Sequence, residues 1–242
     1  MSQSENPYAS FGTVAQAGVN ERADFIRKTY LHLGGAVVAF VLLQAAIFSS
    51  GIAENISKTL LGGQWGWLIV LGAFMIVSGI ARAMASSATS LGVQYAGLAL
   101  YVVAEAIIFV PLLYFAQRME DARNVEIIGP AAIITLVVFA GLTAVVFMTA
   151  KDFSFLRGFL SIAGIGALGL ILCSIIFGFS LGIIFVWAMV LLLCGYILYD
   201  TSNVMLHYHT TQYVAAALAL FASLATLFWY ILQLVMEYAG ND

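Results

Sequence analysis

Two acidic residues of this 242-residue sequence lie within apolar stretches, where ionisable side chains are rare. Glu105 lies inside the apolar segment 101–111, and Asp200 comes at the end of the apolar segment 181–200. An acidic side chain that faces the interior of a helical membrane protein can line a path for cations. We therefore take both residues as candidates for an ion path.

Each of these carboxyl groups has a second interpretation. Glu105 is equally consistent with a neutral carboxylic acid that hydrogen-bonds to a neighbouring helix. Asp200 is also consistent with a position at the membrane interface, because the apolar run ends there. However, residues 200 and 223 are equidistant from a turn near residues 211 and 212, roughly 15 Å away along each helix. Asp200 and Ser223 are thus predicted to face each other.

Three further residues lie near the same end of the predicted helices as Asp200. His207 and His209 lie in the turn that precedes the last apolar stretch, and histidine titrates near neutral pH. They are candidates for proton sensing at the cytoplasmic surface, although interfacial histidines more often have no such role. Arg82 ends the second apolar stretch. It either extends to the lipid phosphates or pairs with Asp200.

The composition shows which elements must position these residues. Hydrophobic residues make up 63% of the sequence and charged residues 9%, whereas about a quarter of a soluble domain is charged. A helical membrane span needs about 20 apolar residues. The apolar stretches run over residues 30–48, 66–80, 91–115, 127–148, 159–177, 181–205 and 213–236. The sequence therefore predicts an all-α polytopic membrane protein with seven transmembrane helices.

The charged residues predict the domain organisation and the orientation. Residues 1–24 are polar and are predicted to form a disordered cytoplasmic tail, followed by a single transmembrane domain over residues 25–242. Six Lys and Arg residues lie on the side of the tail and three on the opposite side. Because cytoplasmic loops carry the excess of Lys and Arg, the N-terminus is predicted to be cytoplasmic.

The sequence lacks the residues that several other membrane proteins need. No Lys follows Lys151 to form a retinal Schiff base in the last helices, and no His-Glu-x-x-His zinc motif is present. Tyr199-Asp200 resembles the Tyr-Asp pair of intramembrane aspartyl proteases, but those enzymes need a second aspartate to share a proton. We predict no enzyme activity. The net charge of −3 gives no indication of nucleic-acid binding.

Two segments carry a more specific pattern. The first is residues 25–33, at the start of the first apolar stretch. The second is Tyr196-Ile-Leu-Tyr-Asp200-Thr, followed by the histidine-containing turn and residues 215–221. Together they resemble the Bax-inhibitor family, also called the transmembrane Bax-inhibitor-motif family, and in particular its bacterial inner-membrane branch. The resemblance implies one central helix with six around it, a location in the inner (plasma) membrane, and a pH-regulated calcium leak.

The resemblance also implies roles for individual residues. In family members with the leak activity, two aspartates on the sixth and seventh helices share a proton, and an arginine on the second helix latches the pair and closes the pore. The first aspartate corresponds to Asp200 and the arginine to Arg82. The second aspartate is replaced by Ser223. A serine can hydrogen-bond a carboxylate but cannot share a titrating proton or add charge for Ca²⁺.

Two functions remain open at this point. The first is a cation leak channel in which Asp200 and Glu105 line the path, no cofactor is needed, and the transported ion is either Ca²⁺, for which Asp200 is the candidate binding residue, or H⁺. The second is a non-conducting interaction protein that modulates a membrane protease or other membrane-protein partners, as the missing second aspartate and the polar tail suggest. A small-molecule transporter ranks behind both, because the sequence shows no internal repeat.

Overall fold

A computed structural model describes residues 12–63, 65–87 and 90–241, which form eight helices and no β-strand. The helices are α1 (Val19–Ser49), α2 (Ala53–Leu60), α3 (Gly66–Ala85), α4 (Leu91–Arg123), α5 (Ile128–Thr149), α6 (Leu156–Phe177), α7 (Gly182–Leu206) and α8 (Tyr213–Asn241). All except α2 are long and apolar enough to cross a bilayer. The predicted all-α fold with seven transmembrane helices is confirmed.

Helix α8 is the central helix of the bundle. It packs against α1, α3, α4, α5 and α7, whereas α6 packs mainly on α7. In the most apolar segment of α8, 78% of the residues are buried, against 11% in α6. Small residues at 215–217 allow the neighbouring helices to approach closely. Five of the six other spanning helices therefore surround α8, and α6 lies outside them against α7.

The short helix α2 is an element that the apolar stretches do not predict. It follows α1 at the end of the bundle opposite the N-terminus and packs on α4. Only Ala53 and Ser57 are buried in it, while Glu54 pairs with Lys58 at 2.6 Å and with Arg118 of α4 at 3.6 Å. This mixture of one buried face and one charged face suits a helix that lies on the surface of the bundle.

The predicted disordered tail over residues 1–24 is too long. Residues 1–11 lie outside the described residues, but the segment that follows them packs on the turn between α7 and α8. The side chain of Val14 is fully buried, and its backbone N–H donates to the Tyr208 carbonyl oxygen at 2.9 Å. Thr13 forms an isolated antiparallel bridge with His209. One buried apolar side chain and these backbone bonds order a segment whose composition is polar.

Helix α1 also begins earlier than its apolar residues indicate. It starts at Val19 and extends through a charged first section. There Asp24 pairs with Arg27 at 3.1 Å and with Lys28 at 2.7 Å. Ion pairs between residues three and four apart stabilise a helix. They explain why α1 begins before its apolar stretch.

The close approach of α3 and α4 depends on Gly97. A Cβ atom added at this position would lie 2.6 Å from the Ala81 carbonyl oxygen and 2.6 Å from the Ala85 backbone nitrogen. Both neighbours are backbone atoms, so they cannot move aside as the end of a flexible side chain can. The contact positions Arg82, which lies between Ala81 and Ala85 on α3.

We predict that Gly97→Ala destabilises the protein by about 1–3 kcal/mol, because overpacking forces the two backbones apart. The measurement is the thermal unfolding midpoint of the purified protein in detergent. Gly92→Ala is the matched control on the same helix, since the nearest atom to its added Cβ is the Ser90 Oγ at 3.6 Å. Equal midpoints for the two variants would contradict the close packing of α3 on α4.

Candidate functional site

Asp200 and Ser223 form a direct hydrogen bond across the last two helices. The Ser223 hydroxyl donates to Oδ2 of Asp200 at 2.5 Å. Ser223 is buried on the central helix α8, and Asp200 is partly buried on α7, roughly 9 Å inside the end of that helix at 1.5 Å per residue. The pairing predicted from the hairpin is present. The carboxyl group thus faces the interior of the bundle.

The end of the bundle beyond this pair is covered by the loop between α5 and α6. The Phe153 backbone N–H donates to the Ser202 hydroxyl at 3.2 Å, and the His207 Nε2 lies 3.1 Å from Oδ2 of Asp152. The Ser154 backbone N–H also donates to Asp152, and these contacts hold the pKa of the Asp152 carboxyl below its usual range. The loop is thereby fastened to α7 within a turn of Asp200.

The N-terminal segment covers the same end from the other side. Besides the contacts of Thr13 and Val14, the Thr210 hydroxyl donates to Oε1 of Glu21 at 2.7 Å, which ties α1 to the turn between α7 and α8. His209 lies in this turn and bridges to Thr13. Of the two candidate proton sensors, His207 therefore contacts a loop through its ring, and His209 contacts the N-terminal segment through its backbone.

Arg82 lies close to both acidic candidates but is paired with neither. Its guanidinium carbon is 5.5 Å from the centre of the Tyr101 ring, within the range of a cation–π interaction. It is near enough to Asp200 and to Glu105 to interact with both electrostatically. Among the described residues, no ion pair within 4.0 Å joins it to either carboxyl group. The contact expected of a latch is not formed in this conformation.

Glu105 lies deep in the bundle on α4. Its side chain is 4% exposed, and its Oε2 has no hydrogen-bond partner among the described residues. The adjacent carbonyl oxygen of Ala106 accepts a hydrogen bond from Nε2 of Gln44 at 2.7 Å, which ties α1 to α4 at this depth. The interpretation of Glu105 as a neutral acid predicts a hydrogen bond to a neighbouring helix, and Oε2 forms no such bond with the described residues.

A cavity of about 990 Å³ extends from the end of the bundle opposite the N-terminus down to Glu105. Residues of α3, α4, α7 and α8 form most of its wall. Arg123 and Glu237 lie near its mouth, and Thr226 and Gln233 follow along α8. One end of the bundle is therefore open as far as Glu105, while the other end is covered beyond Asp200.

The sequence interpretation overlooked one serine motif, over residues 178–182. Ser180 is flanked by glycines in a Gly-x-Ser-x-Gly pattern, the spacing of a serine-hydrolase nucleophile. Here it forms the exposed turn between two helices, at the opposite end of the bundle from His32, His207 and His209. Helix α7, which joins the two ends, is about 37 Å long. No histidine of the sequence is near enough to activate Ser180.

A family model described as "Inhibitor of apoptosis-promoting Bax1" matches residues 22–240, nearly the whole chain. The chain belongs to the Bax-inhibitor family. With the seven apolar helices, this establishes a multi-pass membrane protein of that family.

Individual relatives agree with this assignment. Bax inhibitor 1 of Schizosaccharomyces pombe is 28% identical over all of this chain and 88% of its own length. Protein LIFEGUARD 4 of Arabidopsis thaliana is 34% identical over 52% of this chain and 54% of its own. An uncharacterized membrane protein of Vibrio cholerae is 30% identical over 54% of this chain and 58% of its own. No solved structure matches the chain.

Proposed function

We propose that this protein is a pH-regulated cation leak channel that conducts Ca²⁺ without a cofactor. The observation that carries the proposal is the cavity that leads from one end of the bundle to the buried Glu105 carboxyl group. Acidic side chains along a path select for cations. A second acidic group, Asp200, lies nearer the covered end, where Ca²⁺ would meet it after Glu105.

In this proposal the gate lies between Glu105 and the covered end. The hydrogen bond between Asp200 and Ser223 joins α7 to α8 there. The Arg82 guanidinium interacts electrostatically with the carboxyl groups of both Asp200 and Glu105. A shift of Arg82 towards an ionised Asp200 would close the path by attraction between opposite charges. Protonation of Asp200 removes that attraction, so we expect the leak to rise as the pH falls.

The proposed location is the inner (plasma) membrane, with the N-terminus in the cytoplasm and the cavity mouth outside. The excess of Lys and Arg at the N-terminal end supports this orientation. The opposite end, at which the cavity opens, carries five acidic and three basic side chains among the described residues. These acidic residues are Glu54, Glu120, Asp121, Glu126 and Glu237.

The alternative is a non-conducting protein that modulates a membrane protease or another membrane-protein partner. Ser223 favours it, because the serine leaves a single carboxyl group where two would share a proton. The N-terminal segment favours it less, since residues 12–24 pack on the turn between α7 and α8 or form the start of α1. An absence of Ca²⁺ flux through the wild-type protein would support the alternative.

The two acidic residues are predicted to affect Ca²⁺ flux in different ways. Asp200→Asn, which cannot ionise, should hold the flux at its low-pH level and remove its dependence on pH. Glu105→Gln should lower the flux at every pH at which Glu105 is ionised, because the cavity then loses its deep negative charge. The measurement is Ca²⁺ entry into liposomes that contain the purified protein and a calcium dye, over a pH series.

Asp121→Asn is the matched control for these variants. Asp121 is an exposed acidic residue on α4, the helix that carries Glu105, and it does not line the cavity. Its substitution should leave the flux and its pH profile as in the wild type. Flux that is unchanged in both Asp200→Asn and Glu105→Gln would rule out a path along these residues.

Restoring a second carboxyl group should change the pH profile. In Ser223→Asp, two carboxyl groups would meet at hydrogen-bond distance and could not both ionise, so they would titrate as a coupled pair. We expect the pH dependence of Ca²⁺ flux to separate into two steps. Ser223→Asn is the control, because it has a similar shape and no titrating proton. Identical profiles for the two variants would show that this position does not take part in the pH response.

A further inference from the structure

The walls of the cavity are strongly aromatic. The Trp67 ring stacks on Trp229 with 6.0 Å between the ring centres, and Phe109 meets Trp229 edge-on at 5.0 Å. Phe74 also lines the cavity, and its ring centre lies 6.1 Å from that of Tyr101. The faces and edges of these rings come from three different helices, α3, α4 and α8. A molecule in the cavity would be surrounded by aromatic side chains.

The deep end of the cavity carries a single acidic group. Glu105 lines it, is 4% exposed, and keeps Oε2 without a hydrogen-bond partner among the described residues. The other charged residues of the wall, Arg123 and Glu237, lie at the mouth and have opposite charges, and Arg123 donates to the Ala239 carbonyl oxygen at 2.7 Å. Arg82 interacts with Glu105 but is not part of the wall. No basic side chain of the cavity wall therefore lies beside the Glu105 carboxyl group.

These features do not suit tight binding of a metal ion. Ca²⁺ takes about six to eight oxygen ligands, and the described residues include no group of three or more acidic, histidine or cysteine side chains that could hold a metal. A single carboxyl group among aromatic rings suits an organic cation better, because the ring faces attract positive charge. The volume of about 990 Å³ lies at the upper end of small-molecule sites, roughly 300–1,000 Å³.

We propose that this cavity is a binding site for lipophilic organic cations. The cationic group pairs with the Glu105 carboxylate, and the apolar body lies against Trp67, Phe74 and Trp229. Selection rests on charge at the deep end and on aromatic area along the wall. The site does not depend on the proposed leak activity, because binding at equilibrium requires no ion flux. A bilayer acyl chain is the competing occupant, and it carries no positive charge.

The test compares two probes of the same shape and opposite charge, tetraphenylphosphonium and tetraphenylborate. Their binding to the full-length protein in lipid nanodiscs is measured by equilibrium dialysis, and binding to empty nanodiscs is subtracted. We expect saturable binding of tetraphenylphosphonium, one per chain, and no saturable binding of tetraphenylborate. Glu105→Gln should weaken the binding of tetraphenylphosphonium about tenfold or more, whereas Asp121→Asn should leave it unchanged.

Equal binding of the two probes to the wild-type protein would overturn the proposal and indicate an apolar space that lipid fills. An unchanged affinity in a folded Glu105→Gln variant would overturn it as well. The comparison of the two probes uses the wild-type protein alone, so it decides the question even if Glu105→Gln does not fold. A Ca²⁺ flux measurement that fails would leave this binding result unaffected.

Discussion

A carboxyl group inside a helical membrane protein can gain hydrogen-bond partners only from the protein or from water in a cavity, because lipid offers none. Asp200 meets this constraint through the hydroxyl group of Ser223 on the central helix. The bond joins α7 to α8 in the half of the bundle that the N-terminal segment and the loop between α5 and α6 cover. Small side chains along α8 let the surrounding helices come close enough for it to form. The pair therefore ties α7 to the central helix near the covered end of the bundle.

The two ends of the bundle differ in a way that follows from this arrangement. At one end, the buried Val14 and the contact between Asp152 and His207 fasten loops over the helices. At the other end, α3, α4, α7 and α8 leave a cavity that reaches Glu105. The exposed Arg82 lies against the Tyr101 ring, and within the described residues it forms no ion pair with an acid. The proposed leak and the proposed organic-cation site both depend on the cavity that is open at one end and reaches Glu105.

Much of the fold is predictable from the sequence, because seven apolar stretches of spanning length leave few alternatives. The contact of Asp200 with Ser223 is also predictable, since equal distances from a helical turn place two residues at the same height. The docking of Val14 is not, because one apolar residue in a polar segment produces no periodic pattern. The contact of Asp152 with His207 joins two loops far apart in sequence. The cavity that ends at Glu105 depends on helix angles, which composition does not encode.

The most direct test of the account is the accessibility of two neighbouring positions on α8 to a small, charged, membrane-impermeant thiol reagent. Thr226 lines the cavity, while Ala222 lies one turn closer to the covered end and is 5% exposed. Each is replaced by cysteine in a protein without Cys173 and Cys194, in vesicles of known orientation. The account predicts that Thr226→Cys reacts only from the side of the C-terminus and that Ala222→Cys reacts from neither side. Reaction of Thr226→Cys from the opposite side alone, or from neither side, would contradict it.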